Sequence, residues 1–356
     1  MIQYKDNFLK ADIEHILESG NIAWDLLSES SVLITGATGL IGSLLCRTLL
    51  AANDIRKLNI HIYGLIRDLE KAKTIYGALA DREDFTLLKG DIKEPLCMND
   101  KVDYVFHCAS VTTSKLMVAK PVETLMTAVR GTENMLKTAR DKSVKAFVYV
   151  SSMEVYGSFQ SLDHDVSEED LGYIDPLAVR SNYPESKRLC ENMCIAYASE
   201  YGVPVRIARL AQTFGAGILP WENRVFAQFA RSVIKDEDIV LHTKGMSEGN
   251  YCYTSDTIKG LLTVALAGKD REAYNISNPD THTTIADMAQ MVCSDLAGGR
   301  IKVIFDIPKS NTFGYAADTR MKLDSSKLQA LGWKPEVNLR ESYVRLIGSM
   351  RETGNF

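Results

Sequence analysis

The stretch SVLITGATGLIG, residues 31–42, decides the fold. Its first residues are largely apolar and β-branched and read as a buried strand. Gly36, Gly39 and Gly42 follow at G-x-x-G-x-x-G spacing, with Leu40 and Ile41 between the last two, and SLLCRTLLAA at 43–52 continues with a helical pattern. Strand, glycine-rich turn and helix in this order form a phosphate cradle. The glycines permit a tight turn and a close backbone approach, and a pyrophosphate settles at the helix N-terminus. A glycine triple alone is an ordinary turn signal; between a strand and a helix it predicts a dinucleotide-binding unit.

Downstream, the pattern repeats. NIHIYGLIR at 59–67 reads as a second strand, FTLLKGDI at 85–92 as a third ending at Asp91 with Ile92 beyond it, and VDYVFHCAS at 102–110 as a fourth. A helix carrying Leu125, Val129, Met135 and Leu136 leads to KAFVYVSS at 145–152; VPVRIARL at 203–210 and AYNIS at 273–277 are further strands. Strands alternating with helices predict an α/β fold, a doubly wound parallel (Rossmann) sheet covered on both faces, with a smaller C-terminal substrate-binding lobe. In such sheets ligands bind at the carboxyl ends of the strands, where Gly36, Asp91, Cys108, Ala109, Ser110 and Ser152 fall. The acid usual near the end of the second strand is missing. Gly64 is expected in its place, followed by Arg67 and Asp68. Arg67 suits a 2′-phosphate and Asp68 a plain ribose, so the cofactor stays open between NAD and NADP.

The chain divides by rhythm. Residues 1–30 form an N-terminal extension, with Phe8, Leu9, Ile13, Ile16 and Leu17 at helical spacing and packed against the outside of the first lobe. Residues 31–211 make the dinucleotide-binding domain, to which 254–277 return; 212–253 and 278–356 make the substrate-binding lobe. The 356 residues, 46% hydrophobic and 24% charged, are ordinary for a globular protein. A net charge of -5 without a basic run argues against nucleic acid. No apolar run approaches membrane-spanning length. The seven cysteines are scattered without a C-x-x-C and read as reduced thiols, so a cytoplasmic protein without a metal site is expected.

The chemistry is carried by SSMEVYG at 151–157 and YPESK at 183–187. Tyr183 and Lys187 lie four residues apart, one turn on one helix face. A tyrosine of reference pKa about 10 must drop by about three units to serve as a base near neutrality, or ~4 kcal/mol. A lysine charge ~4 Å away at an effective dielectric of ~20 supplies about that much, before help from an oxidised nicotinamide. Lys187 is therefore expected to lower the Tyr183 pKa. Leu189, Met193 and Tyr197 extend an apolar stripe along the same helix, which suits a homodimer face.

Taken together, GATGLIG, GDI, HCAS, SSMEVYG and YPESK resemble, in order and spacing, the extended short-chain dehydrogenase/reductases. VYG, R-x-x-L-D at 320–324 and L-G-W-x-P at 331–335 narrow the likeness to nucleotide-sugar epimerases, dehydratases and decarboxylases. The resemblance implies Tyr183 as base, Lys187 as its activator and ribose ligand, Ser152 on the sugar O4, and Asp91 on the adenine. It further implies a nucleoside-diphosphate sugar as substrate, held by Lys115, Arg180, Arg224 and Arg320, and oxidation at C4 as the first step. The 4,6-dehydratases carry Asp-Glu after this serine; here the sequence is Ser152-Met153-Glu154, with the glutamate kept and the acid lost. UDP-glucuronate decarboxylases and GDP-mannose dehydratases are similar in having Ser-Glu, and Arg180 and HCAS also resemble the decarboxylase pattern. The resemblance thus implies Glu154-assisted chemistry at C5/C6, decarboxylation or dehydration, with 4-epimerisation as the alternative enzyme reading and a silent dinucleotide-binding regulator as a reading of another class. Where the family carries an arginine ahead of Tyr-x-x-Asp, this chain has Gly249.

Overall fold

The computed structural model describes residues 5–308 and 318–356. The chain opens with helix α1 (Asn7–Glu18), capped by Asp6, whose carboxylate accepts from the Leu9 N–H. Strand β1 (Ser31–Thr35), the glycine turn and α2 (Leu40–Arg56) follow as the sequence pattern predicts. The apolar run of β1 is almost wholly buried, because both faces of its sheet are covered. Then come β2 (His61–Ile66), α3 (Leu69–Tyr76), β3 (Phe85–Lys89), β4 (Tyr104–His107), the short α4 (Ser114–Ala119) and α5 (Pro121–Lys142), which starts on Pro121 where its missing N–H costs nothing. Strand β5 (Ala146–Ser152) ends in a 3₁₀ turn over Met153–Tyr156, and after a long loop α6 (Asn182–Tyr201) leads to β6 (Val205–Leu210).

From here the chain moves between two regions. Strand β7 (Gln212–Phe214), α7 (Val225–Lys235), β8 (Ile239–Leu241) and β9 (Glu248–Tyr253) precede α8 (Thr254–Ala267) and β10 (Ala273–Ile276). The last segments are β11 (Asn278–Thr284), α9 (Ile285–Met291), β12 (Val303–Phe305), α10 (Ser326–Gln329) and α11 (Leu339–Thr353).

Seven of these strands form one parallel sheet in the order β10-β6-β5-β4-β1-β2-β3. The reversal between β1 and β4 is the point at which a doubly wound sheet opens a crevice for a ligand. A three-stranded sheet, β11-β9-β7, and the parallel pair β12-β8 lie apart from it, around a second apolar core that contains Phe214, Phe226, Phe229, Tyr343 and Leu346.

One expectation is corrected by this arrangement and another is extended. Gly64 is not at the end of β2. It pairs with Ile34 and Leu87 inside the sheet, where a Cβ would come within 3.1 Å of the Ala37 Cβ and 3.2 Å of the Phe85 ring. Close packing explains the glycine, and the strand ends at buried Ile66 followed by exposed Arg67. Helix α1 does more than cover the first lobe. It packs on α2 and α8, and it also reaches α11, where Arg345 donates to buried Asp12 at 2.9 Å and Ser349 donates to Asp6 at 2.5 Å.

Candidate active site

The turn after β1 is built for close approach. Gly36 has φ +66°, a conformation open to glycine, and a Cβ there would lie 2.9 Å from the Ala109 backbone. A Cβ on Gly42 would lie 2.4 Å from the Gly36 carbonyl oxygen. Leu40 and Ile41 open α2 between Gly39 and Gly42. These constraints leave bare backbone at the N-terminus of a 17-residue helix, beside the ends of β1 and β4, and that shape fits the pyrophosphate of a dinucleotide.

His107 pins this corner. Its ring nitrogens lie 2.8 Å from Thr35 Oγ1 and 3.3 Å from Thr132 Oγ1, and burial holds it well below the usual range, at about 3, so the ring is neutral. Thr35 Oγ1 also accepts from the Ala109 N–H at 3.1 Å, which fixes the Cys108–Ser110 turn. Burial pushes the Cys108 thiol up to about 12. Asp91 stands just past β3, its carboxylate accepting from the Lys93 N–H at 2.9 Å, and Ile92 is buried over Gly131. Asp68 caps α3 by accepting from the Lys71 N–H, so one of its oxygens is committed to the helix. Arg67 and Lys71 lie close enough for their charges to repel, and the Lys71 ammonium sits 4.4 Å from the Trp221 ring centroid.

The second half of the site is gathered by β5 and α6. Ser152 ends β5; its hydroxyl accepts from the Glu154 N–H at 3.2 Å and lies near enough to the Tyr183 phenol to favour its ionised form. Arg188 on α6 donates to the carbonyls of Val155 and Gly172, each at 2.7 Å, and so clamps the Met153–Tyr156 turn against the helix. Glu154 meets Arg180 through both oxygens, at 3.1 and 3.0 Å, with both side chains partly open to solvent. The Arg180 guanidinium lies 5.8 Å from the Tyr183 ring centroid. Met153 is buried, and a Cβ on Gly249 would fall 3.5 Å from its Cε, so the two departures from the family pattern sit side by side.

Burial works against the expected lowering of the Tyr183 pKa by Lys187. The phenol is 8% exposed, and burial together with the Glu154 charge pushes its pKa up to about 12, against the lowering effects of Ser152, Arg180 and Arg224. Lys187 is buried, with Nζ 5.8 Å from the Tyr183 ring centroid and its proton donated to the Val150 carbonyl at 2.7 Å. Desolvation was invisible in the spacing of Tyr-x-x-x-Lys, and here it outweighs the neighbouring cations.

The remaining candidates divide. Arg224 forks onto Glu222 at 3.0 and 2.7 Å, and its charge reaches Tyr183. Lys115 is exposed on α4, a helix tied to the start of α6 by Asn182 donating to the Met117 carbonyl at 2.7 Å. Arg320 is exposed and is not brought to Tyr183 by any described contact. The sequence reading missed Arg188, His107 as a pin, and Glu191, which accepts from Ser151 and Arg209 behind the site. Glu191 had a legible signal, since it lies one turn beyond Lys187 on the same helix. Among the described residues, no group of three or more His, Cys, Asp or Glu could hold a metal, and no helix is long and apolar enough to cross a membrane.

Comparison with known proteins matches this geometry to a family. The sequence profile of the NAD dependent epimerase/dehydratase family matches residues 32–277. UDP-glucuronic acid decarboxylase 1 of Danio rerio is 30% identical over 318 residues, 89% of this chain and 71% of that protein. Two solved structures share the fold. A UDP-glucuronic acid 4-epimerase from Bacillus cereus, in complex with UDP-glucuronic acid and NAD, is 21% identical with a TM-score of 0.73, covering 91% of this chain and 99% of that one. A dTDP-glucose 4,6-dehydratase from Streptomyces venezuelae with NAD bound is 24% identical with a TM-score of 0.75, covering 90% and 97%. With the profile spanning well over half its length, through both the glycine turn and the Tyr183 helix, this chain belongs to the NAD dependent epimerase/dehydratase family.

Proposed function

We propose that this protein oxidises a nucleoside-diphosphate hexuronate at C4 and decarboxylates the resulting keto sugar, with UDP-glucuronate as the first substrate to test. The observation that carries this reading is the Glu154–Arg180 pair beside Tyr183, with buried Met153 where a dehydratase carries an acid. Dehydration needs a proton for the departing hydroxyl and a free base for C5. A thioether supplies no proton, and a glutamate whose two oxygens both engage Arg180 is not free to reach C5. Loss of carbon dioxide needs neither, because the group leaves as a neutral molecule and the adjacent ketone takes up the electron pair.

In this reading Gly36, Gly39, Leu40, Ile41 and Gly42 hold the dinucleotide pyrophosphate, Asp91 and Ile92 flank the adenine, Arg67 stands at its ribose, and Cys108–Ser110 line the opposite wall. When bound, the oxidised dinucleotide would supply the hydride acceptor for C4 and a positive charge that favours the phenolate. Tyr183 takes the C4 hydroxyl proton, Ser152 orients that oxygen, and Lys187 stabilises the phenolate. Arg180 faces the sugar carboxylate while Glu154 limits how tightly it is held, so the carboxylate is not locked in its ground state. Lys115, Arg224 and Arg320 are the cations available to the diphosphate, in the absence of an arginine at Gly249.

The test is incubation with a panel of nucleoside-diphosphate sugars, read by mass spectrometry. From UDP-glucuronate the expected product is a keto pentose, lighter by one carbon dioxide and a pair of hydrogens, or, where the reduced cofactor returns its hydride to C4, a pentose lighter by one carbon dioxide alone. Loss of water from a hexose substrate would overturn the reading in favour of dehydration, and an isomer of unchanged mass in favour of 4-epimerisation.

A further inference from the structure

Behind the candidate catalytic face lies a buried ion pair that the proposed C4 chemistry does not use. Glu191 is 7% and Arg209 8% exposed. Arg209 donates to both Glu191 oxygens, from Nε at 3.1 and 3.3 Å and from Nη2 at 2.7 Å. Ser151 donates to the same carboxylate at 2.6 Å. Ser151 and Arg209 are register partners across β5 and β6, so one carboxylate from α6 spans the carboxyl ends of both strands. Ser151 precedes Ser152, and the residue before it, Val150, accepts the hydrogen bond from Lys187. Glu191 also lies one helical turn beyond Lys187.

The surroundings of Lys187 make this placement consequential. Burial pulls its ammonium below the usual lysine range. The groups facing it are the rings of Tyr149 at 4.8 Å and Tyr183 at 5.8 Å, the thiols of Cys108, Cys190 and Cys194, the ring of His107, and Glu191. Burial keeps Cys108 and Cys194 protonated and His107 neutral. Glu191 is the carboxylate in the set.

We propose that Glu191 is a positioning residue for the acid–base pair: bridging Ser151, Arg209 and the Lys187 turn of α6, it keeps Lys187 charged and aligned beneath Tyr183. Arg209 satisfies the far side of the carboxylate, and its Nη1 continues the network to the Tyr156 hydroxyl at 3.2 Å and the Glu168 carbonyl at 3.0 Å. The proposal rests on Tyr183 and Lys187 forming the acid–base pair and holds whichever reaction the C4 ketone then undergoes.

The test titrates Lys187 by NMR of isotope-labelled lysine side chains in the full chain, with NAD and without, the resonance being assigned from its loss in Lys187→Met. Two variants are compared with the unmodified protein: Glu191→Gln, and Glu191→Gln combined with Arg209→Met, which removes both members of the buried pair and leaves no uncompensated charge. The expected result is a fall of about one unit in the Lys187 pKa, tenfold in its acid constant, in both variants. A Lys187 titration unmoved in the double variant overturns the proposal, whatever the single variant does, since the effect would then belong to the stranded Arg209 charge. Should the single variant fail to fold, the double variant decides; failure of both to fold assigns the pair to stability and also overturns it. Cofactor reduction on adding the sugar panel, followed in the unmodified protein, tests the functional reading separately.

Discussion

Glu154 sits between two roles, since its charge raises the Tyr183 pKa while its oxygens occupy Arg180. Replacing it with glutamine removes both effects at once. In Glu154→Gln the phenol becomes more acidic, so C4 oxidation persists, while a freed Arg180 grips the sugar carboxylate and slows its departure. The expected outcome with UDP-glucuronate is build-up of reduced cofactor, visible in its near-ultraviolet absorbance, together with loss of most decarboxylated product. A variant that decarboxylates at the original rate would remove Glu154 from the C5 step. Tyr183→Phe has the opposite signature. Without the phenol there is no proton acceptor, and cofactor reduction should drop by about 10²–10⁴-fold, the usual worth of a positioned acid–base group. The Tyr183 titration carries its own test: pushed up to about 12 by burial, it should move down on adding NAD, as followed by NMR of ring-labelled tyrosine.

At the scale of elements, the glycine turn between β1 and α2 was fully legible, because strand, turn and helix are contiguous in sequence and each glycine has one local steric reason. Gly42→Ala places a methyl group 2.4 Å from the Gly36 carbonyl oxygen, with no flexible side chain to yield. NAD affinity should fall at least tenfold, about 1.4 kcal/mol, by calorimetric titration. Gly20→Ala is the control, since a Cβ there meets nothing within 4 Å. The central strands along the chain and the helix bearing Tyr183 and Lys187 were legible on the same local grounds, whereas the order of the strands in the sheet was not. The end of β2 was not. A run of alternating β-formers does not reveal where pairing stops, and Gly64 proved to be a packing glycine beneath Ala37 and Phe85. The Glu191–Arg209 pair joins α6 to a strand 18 residues on, and only the sheet register brings Arg209 beside Ser151.

For the whole molecule, α1 links the two apolar cores, and its polar side chains do the linking. Sequence periodicity identified its apolar face but could not show that Asp12, on the same helix, would be completely buried between Tyr253 and Arg345. Tyr253 donates to Asp12 at 2.6 Å and in turn accepts from the Ala216 N–H at 3.2 Å, so the helix reaches the loop after β7. Burial raises the Asp12 pKa from 3.8 to about 6, against hydrogen bonds from Tyr253 and Arg345 that lower it. The native state therefore binds a proton at Asp12 that the unfolded chain has released between pH 3.8 and about 6. Where the native state binds more protons, stability falls as pH rises. This carboxylate thus favours folding below that window and opposes it above, by about 3 kcal/mol once both states are ionised. Asp12→Asn keeps an acceptor for Tyr253, leaves Arg345 partly open to water, and has no proton to lose. Denaturant unfolding at about pH 4.5, inside that window, and about pH 7, above it, should show most of this decline in the unmodified protein and its absence in the variant. Equal slopes in both would mean that Asp12 is already ionised in the native state and that the link between the cores is a full ion pair with Arg345.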